Sequence, residues 1–171
     1  MGASFRNKDP TFAVGRCMST LPPNVLPLSG APPGHTILVV EDEVMVRLVI
    51  AEYLRECGYR VHEAAHADEA VTALTTPGVT VDLVFSDIEM PGGSMDGFAL
   101  ARWIRENHPG VKVVLTSGAA RSARVAADLC ECGPLMRKPY EVKEVIARIR
   151  RLLAAADRKV DDVLRAITAA S

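Results

Sequence analysis

Residues that can handle phosphate and metal ions stand at the ends of four apolar runs in this sequence. The run ends are Glu41-Asp42-Glu43, Ser86-Asp87, Thr116-Ser117 and Arg137-Lys138. An aspartate carboxylate can attack a phosphoryl donor to form an acyl phosphate when nearby positive charge offsets the charge of the transferring oxygens. The residue types therefore predict phosphoryl transfer to Asp87, with a hydroxyl donor at Thr116 and a compact positive charge at Lys138.

Carboxylates brought to one edge of a sheet repel each other, which raises at least one pKa unless a cation compensates. Magnesium suits this role because it prefers oxygen ligands and typically binds one or two carboxylates together with phosphate oxygens. We expect Mg2+ to be held by Asp42, Asp87 and the backbone carbonyl of Glu89, with Glu41 as a further candidate ligand.

Each of these residues alone also has an ordinary structural interpretation. An acidic residue at a strand end commonly caps the following helix, and a threonine such as Thr116 suits a β-strand. A single lysine such as Lys138 is typical of a solvated surface. The occurrence of all of them in one ordered series is what favours the functional interpretation.

The elements that must position these residues alternate between short β-branched runs and helical patterns. The runs are Thr36–Val40, Tyr59–Glu63, Val81–Ser86, Val111–Thr116 and Pro134–Arg137, and the helical patterns are Val44–Cys57, a segment ending before Pro77, Asp96–His108, Ala120–Cys130 and Val142 onward. Near-continuous apolar strands joined by helices are typical of a parallel sheet covered on both faces. The sequence predicts an α/β fold with a doubly wound, five-stranded parallel sheet. Ligands bind such sheets outside the carboxyl ends of the strands.

Composition narrows the classes of protein further. The chain has 171 residues with 20 Lys and Arg against 21 Asp and Glu, so no global positive field attracts nucleic acid or a membrane surface. No apolar run reaches the roughly 18 residues of a membrane span, and no secretory signal is recognisable. We expect a cytoplasmic protein with a disordered Pro-rich tail at 1–34, one domain at 35–155 and a helical extension at 156–171.

Two features lie outside the predicted site. The four cysteines, which are too few and too irregular for a disulfide framework or a zinc site, are expected to be free thiols, with a redox role as the alternative. The C-terminal segment carries an apolar stripe of Val160, Val163, Leu164 and Ile167. The stripe predicts an extension of the fifth helix or a short sixth one. Docking back on the domain is the favoured arrangement, and pairing with a second copy or binding a target are the alternatives.

Four motifs together resemble the response-regulator receiver family over roughly residues 35–155. The motifs are Leu38-Val39-Val40-Glu41-Asp42-Glu43, Val84-Phe85-Ser86-Asp87-Ile88-Glu89-Met90-Pro91 with Met95-Asp96-Gly97, Val114-Leu115-Thr116-Ser117-Gly118 and Met136-Arg137-Lys138-Pro139-Tyr140. The resemblance implies a flavodoxin-like fold with strand order 2-1-3-4-5 and a phosphoacceptor at Asp87. It further implies that Glu41 and Asp42 bind magnesium, that Thr116 is the switch hydroxyl and that Lys138 contacts the phosphoryl group. The implied donor is a sensor histidine kinase or a histidine phosphotransfer protein.

The chain departs from the family pattern at two places. Gly92-Gly93-Ser94 makes the loop after Pro91 two residues longer than is common, so we expect a more mobile loop beside the acceptor. Leu135 stands where many members carry an aromatic residue. In those members the aromatic ring moves together with the switch threonine.

Residues 156–171 leave no room for a helix-turn-helix, so we expect a single-domain regulator, not an enzyme, without a DNA-binding domain. Such a regulator relays phosphate or binds an unknown target protein. It can form a homodimer through the face made by the fourth predicted helix (Ala120–Cys130), the fifth predicted strand (Pro134–Arg137) and the fifth predicted helix (from Val142), or through the C-terminal helix. The alternative is a phosphorylation-independent adaptor on the same fold. We rank an aspartate-based phosphatase last. Such enzymes use an Asp-x-Asp pattern, and here Asp87 is followed by Ile88-Glu89.

Overall fold

The computed structural model describes residues 34–118 and 135–169. The strands are β1 (Thr36–Val40), β2 (Arg60–Ala64), β3 (Leu83–Asp87), β4 (Lys112–Ser117) and β5 (Met136–Arg137), and the helices are α1 (Val44–Glu56), α2 (Ala67–Thr75), α3 (Gly97–Asn107) and α4 (Val142–Ala169). The predicted tail up to residue 33, the predicted helix at Ala120–Cys130 and the predicted strand start at Pro134 lie outside the described residues.

The strands form one parallel sheet in the order β2-β1-β3-β4-β5. This confirms the predicted fold class and strand order. Because β1 pairs with both β2 and β3, the chain turns to opposite sides of the sheet at this point, and the loops after β1 and β3 diverge to leave a crevice. The register places Asp87 at the end of β3 opposite Thr116 of β4.

The sheet is covered on both faces, which explains why β1 is apolar from Ile37 to Val40 and buried throughout. Ile37 and Val39 face a cluster that contains residues of α1 and α4. Leu38 and Val40 face the other side, toward α2 and α3. Alternate residues of one strand therefore belong to two separate cores.

Local signals at the helix ends match the sequence. Gly58, just after α1, has a φ of 91°, the left-handed conformation that ends many helices. The Asp96 carboxylate caps α3 by accepting a hydrogen bond from the Ala99 amide at 2.8 Å. This acidic residue has the ordinary capping role, whereas the side chain of Glu43 makes no capping hydrogen bond to α1.

Helix α4 runs without a break for 28 residues, so the C-terminal segment is an extension of the last helix and not a separate one. In its first half Val145, Ile146, Ile149, Leu152 and Leu153 are buried, whereas Arg158 to Thr168 are exposed. The expectation that the stripe docks back on the domain is wrong for this structure, because no glycine or proline after Glu141 lets the helix turn. Within the described ranges no helix combines the length and the apolar character needed to cross a membrane.

Gly97 is the point where α3 touches the end of β3. A Cβ at this position would collide with the carbonyl oxygen of Asp87 and would lie 2.7 Å from the Cα of Ile88. Because both obstacles are backbone atoms, we predict that Gly97→Ala lowers the free energy of unfolding by about 1–3 kcal/mol, as overpacking does. Urea denaturation measures the effect. Gly110→Ala is the matched control, since nothing lies within 4 Å of its Cβ, and equal losses of stability in the two variants would contradict the explanation.

Candidate functional site

The candidate site lies where the carboxyl ends of β1, β3, β4 and β5 meet. Glu41 and Asp42 directly follow β1, Asp87 is the last residue of β3, and Lys138 directly follows β5. Thr116 lies beside Asp87 in the neighbouring strand. The topology thus brings together five residues that the sequence separates by up to 97 positions.

Asp87 is almost completely buried, at 4% exposed, and its two carboxylate oxygens have different partners. Oδ1 accepts a hydrogen bond from the Ile88 amide at 2.8 Å, and the Thr116 hydroxyl lies 3.5 Å from the same oxygen. Oδ2 accepts a hydrogen bond from Lys138 Nζ at 2.7 Å. The carboxylate is therefore held in a fixed orientation at the strand end.

Lys138 is shared between two carboxylates. Its Nζ donates to Asp87 Oδ2 at 2.7 Å and to Glu41 Oε2 at 2.9 Å. Burial by itself would lower the pKa of Lys138, but the hydrogen bonds and charges of Asp87 and Glu41 outweigh burial and raise it. The amine consequently stays protonated at neutral pH and provides the positive charge predicted from the sequence.

Glu41 is the most deeply buried acid of the site, at 1% exposed. Burial raises the pKa of Glu41, and the nearby charge of Asp87 raises it further, although the hydrogen bond from Lys138 opposes both effects. One lysine therefore does not fully compensate the negative charge of this cluster. A cation bound here would relieve the imbalance.

The donor set fits magnesium. Carboxylate oxygens of Glu41, Asp42 and Asp87 lie within 4.8 Å of one another. These ligand atoms are all oxygens, and Asp42 is partly exposed, so retained water molecules have access, as Mg2+ prefers. The backbone carbonyl of Glu89 stays a predicted ligand. The side chain of Glu89 points toward β4, where its Oε1 lies 3.3 Å from the Ser117 hydroxyl.

Arg47 is a supporting residue that the sequence analysis missed. Its guanidinium donates to the backbone carbonyl of Glu41 at 2.5 Å and lies 3.7 Å from a carboxylate oxygen of Glu63 in β2. The contact ties the end of β1 to the neighbouring strand and so fixes the acidic segment. An arginine one turn into the first helix was the available signal, but its partners are visible only in three dimensions.

The loop from Gly92 to Ser94 is attached to α2 by hydrogen bonds to Asp68, and its extra mobility stays a prediction. Asp68 accepts hydrogen bonds from both the amide of Ser94, at 2.8 Å, and its hydroxyl. These two bonds hold the pKa of Asp68 below its ordinary value. The two extra residues thus form an anchored turn, in which Gly92 has a φ of 116°.

Leu135 and Tyr140 show how aromatic and aliphatic residues are arranged around the site. Leu135 is buried with Ile88 and Leu115, so this position contributes to the core. The ring of Tyr140 meets that of Phe85 edge-on, with the centroids 6.1 Å apart. Burial raises the pKa of Tyr140 to about 12, so its phenol is neutral at physiological pH.

Comparison with known proteins identifies relatives of this chain. The family model described as "Response regulator receiver domain" matches residues 37–150. The chain is 38% identical over 125 residues to the sensor kinase CckA of Brucella abortus and 32% identical over 122 residues to the transcriptional regulatory protein ResD of Bacillus subtilis. Each match covers 71% of this chain, but only 13% of CckA and 49% of ResD.

The fold also matches solved structures. The response regulator TrrA of Thermotoga maritima, solved in complex with Mg(2+)-BeF, is 28% identical and aligns with a TM-score of 0.62. The alignment covers 70% of this chain and 99% of TrrA. A receiver domain protein from Methanospirillum hungatei, described as CheY-like and 21% identical, aligns with a TM-score of 0.65 over 73% of this chain and 98% of its own length. That second likeness concerns the fold alone.

We predict that Glu41→Gln stabilises the metal-free protein while weakening its affinity for Mg2+. The folded protein raises the pKa of Glu41, so the protonated side chain favours the folded state over the unfolded one. This contribution to stability is present below pH 4.5, the ordinary pKa, and is lost as the pH rises through the raised pKa. The gain in the free energy of unfolding over wild type, measured in EDTA, should therefore grow from acidic to neutral pH. Loss of a charged ligand should weaken Mg2+ binding about tenfold or more by calorimetry.

Glu52→Gln, which removes an exposed carboxylate of α1, is the control for this variant and should change neither quantity. A Glu41→Gln protein that is less stable than wild type at neutral pH would show that the pair with Lys138 outweighs burial.

Proposed function

Because this chain belongs to the response regulator receiver family of two-component signalling proteins, we propose that it is a phosphorylation switch in which Asp87 accepts a phosphoryl group. The observation that carries the proposal is the position of the Asp87 carboxylate, 2.7 Å from Lys138 Nζ and within 4.8 Å of the oxygens of Glu41 and Asp42. A carboxylate so placed combines a nucleophile, a positive charge and the donor set of a magnesium site.

In the proposed reaction a carboxylate oxygen of Asp87 forms a bond to phosphorus as the bond from phosphorus to the histidine nitrogen of the donor breaks. Glu41, Asp42 and Asp87 would hold Mg2+, which when bound offsets the negative charge of the transferring oxygens. Lys138 contributes a second positive charge at the acceptor. The protonated amine needs no proton transfer for this role.

The conformational response is proposed to begin at Thr116 and Lys138. A phosphoryl group adds about −1.5 to −2 charges and three strong acceptor oxygens. The Thr116 hydroxyl lies 3.5 Å from its present acceptors, the Ser86 carbonyl and Asp87 Oδ1, and these weak contacts leave it available to a phosphoryl oxygen. Lys138 is drawn in the same direction, away from Glu41.

A surface beside the site suits a protein donor. The first half of α1 exposes Val44, Met45, Leu48 and Val49, of which Met45 is 67% exposed. An apolar patch of this kind marks a contact surface, and this one begins directly after Glu41–Glu43. We propose that the sensor histidine kinase or phosphotransfer protein docks on this α1 patch.

The remaining expectations belong to the same proposal. Asp87 acts as an acceptor, so the chain is a signalling protein and not an enzyme that turns over an external substrate. It is proposed to act in the cytoplasm and to signal through protein contacts or by passing the phosphoryl group on. Single-domain output without a DNA-binding domain stays a prediction, because the chain spans half or less of the curated relatives named above.

We predict that incubation with a small phosphodonor and Mg2+ adds one phosphoryl group to the wild-type chain and none to Asp87→Asn. Intact-mass spectrometry detects the adduct, and EDTA should prevent it. Asp162→Asn, altered at an exposed aspartate of α4, should be modified as the wild type is. A folded wild-type protein that binds Mg2+ but receives no adduct from small or protein donors would instead support the phosphorylation-independent adaptor.

The α1 patch gives a second prediction, in which Met45→Glu slows phosphorylation by a protein donor but not by the small phosphodonor. A charge in an apolar contact costs on the order of 1–3 kcal/mol, so transfer from an autophosphorylated histidine kinase should slow about tenfold or more. The assay measures how fast each autophosphorylated kinase, taken from a panel of kinases of the source organism, loses its phosphoryl label when the chain is added. Glu52→Lys, at an exposed position on the later part of α1, tests whether any change on this helix has the same effect.

A further inference from the structure

Helix α4 carries a heptad repeat that continues beyond the domain. Its core-facing side chains Ile146, Ile149 and Leu153 are at most 1% exposed. The same spacing continues through Val160 and Val163, each 58% exposed, to Ile167. Because a seven-residue repeat drifts by only about 20° per heptad, these residues lie on nearly the same side of the helix as the buried ones.

We propose that the end of α4, residues 154–169, whose side chains are exposed from Arg158 to Thr168, pairs with the same segment of a second copy of this chain in an antiparallel two-helix contact. Val160 and Val163 are poor choices for a helix surrounded by water, because β-branched side chains lose rotamer freedom there and gain no burial. From Arg158 to Thr168 every residue is exposed, a length of about 16 Å. A partner helix would bury the stripe and stabilise these turns.

The direction of the partner follows from the side on which the stripe lies. Since the stripe faces the same way as the buried seam, a parallel partner helix would place its first half in the space that the sheet and α1 occupy. An antiparallel partner places its first half beyond Ala169 instead. The two domains then lie at opposite ends of the helix pair.

In this arrangement large side chains of one copy lie opposite small side chains of the other along the stripe. With Val160 opposite Val163 of the second copy, Ile167 comes opposite Ala156, so a large side chain meets a small one at each end. The twofold axis generates the same pairs twice, as an isologous contact requires. In this register the overlap begins at 154, directly after Leu153, the last fully buried residue of the helix.

The charges on the segment favour a second copy as the occupant. Asp157, Asp161 and Asp162 balance Arg158, Lys159 and Arg165, so two copies carry no net charge to oppose their approach. Asp161 and Arg165 are four residues apart and can pair along the outer surface. Leu164, 56% exposed, widens the apolar seam on one flank.

Sedimentation equilibrium of the full chain, from low micromolar to near-millimolar concentration, tests the proposal. The contact is smaller than a standard interface of about 1,600 Å², so we expect a reversible dimer with a micromolar dissociation constant. Val163→Glu should raise this constant about tenfold or more, because it brings a charge into the apolar seam. Arg158→Gln, which makes the same change of net charge on the opposite side of α4, should leave the constant close to that of wild type.

Disulfide formation tests the direction. A mixture of Ile167→Cys and Ala156→Cys proteins should give the mixed cross-linked dimer by intact mass, and Ile167→Cys alone should cross-link no more than wild type. A wild-type chain that stays monomeric at every concentration, or whose stripe instead captures a different protein, would overturn the proposal. So would dimerisation that survives in Val163→Glu, while cross-linking of Ile167→Cys alone would replace the antiparallel contact by a parallel one.

Discussion

Three carboxylates and one ammonium group compete for the same small volume at the carboxyl edge of the sheet. Lys138 lies between Asp87 and Glu41, and burial together with the charge of Asp87 still raises the pKa of Glu41. Replacing Glu41 with an apolar side chain would relieve this cost but would remove a donor to the cation. The cluster therefore lowers the stability of the metal-free protein, and a bound cation would offset that cost. Many functional sites show the same trade-off between stability and activity.

Such a cluster persists only if the backbone around it cannot relax. The apolar β1 strand is buried on both faces and carries Glu41 at its end, and Arg47 binds the Glu41 carbonyl. Gly97 brings α3 against the backbone of Asp87 with no room for a side chain. These contacts fix the strand ends, so that burial and the nearby charge of Asp87 raise the pKa of Glu41 while the carboxylates stay together.

The fold and the centre of the site were predictable because local patterns determine them. Near-continuous apolar strands indicate a covered parallel sheet, and the helical pattern predicted over Val44–Cys57 ends one residue from the end of α1. Acids at strand ends then converge by topology alone. Arg47 and the attachment of Ser94 to Asp68 escaped prediction because they join residues on different elements through polar side chains whose partners the sequence does not name. The strand β5 was predicted too long for a related reason, since pairing with β4 limits it to Met136 and Arg137.

The C-terminal helix shows where a correct local pattern permits a wrong conclusion about packing. An amphipathic stripe predicts a helix that buries one face, but periodicity does not say whether its own domain or another chain covers that face. Here the sheet ends before the helix does, so one heptad pattern belongs to the core up to Leu153 and is exposed from Val160 onward. Only Pro139, Tyr140 and Glu141 separate Lys138 from the start of α4, so the chain connects the charge cluster directly to this helix. A displacement of Lys138 toward a phosphoryl group would therefore act on the end of α4 that is packed against the sheet, and the rigid helix would carry that displacement to its exposed half.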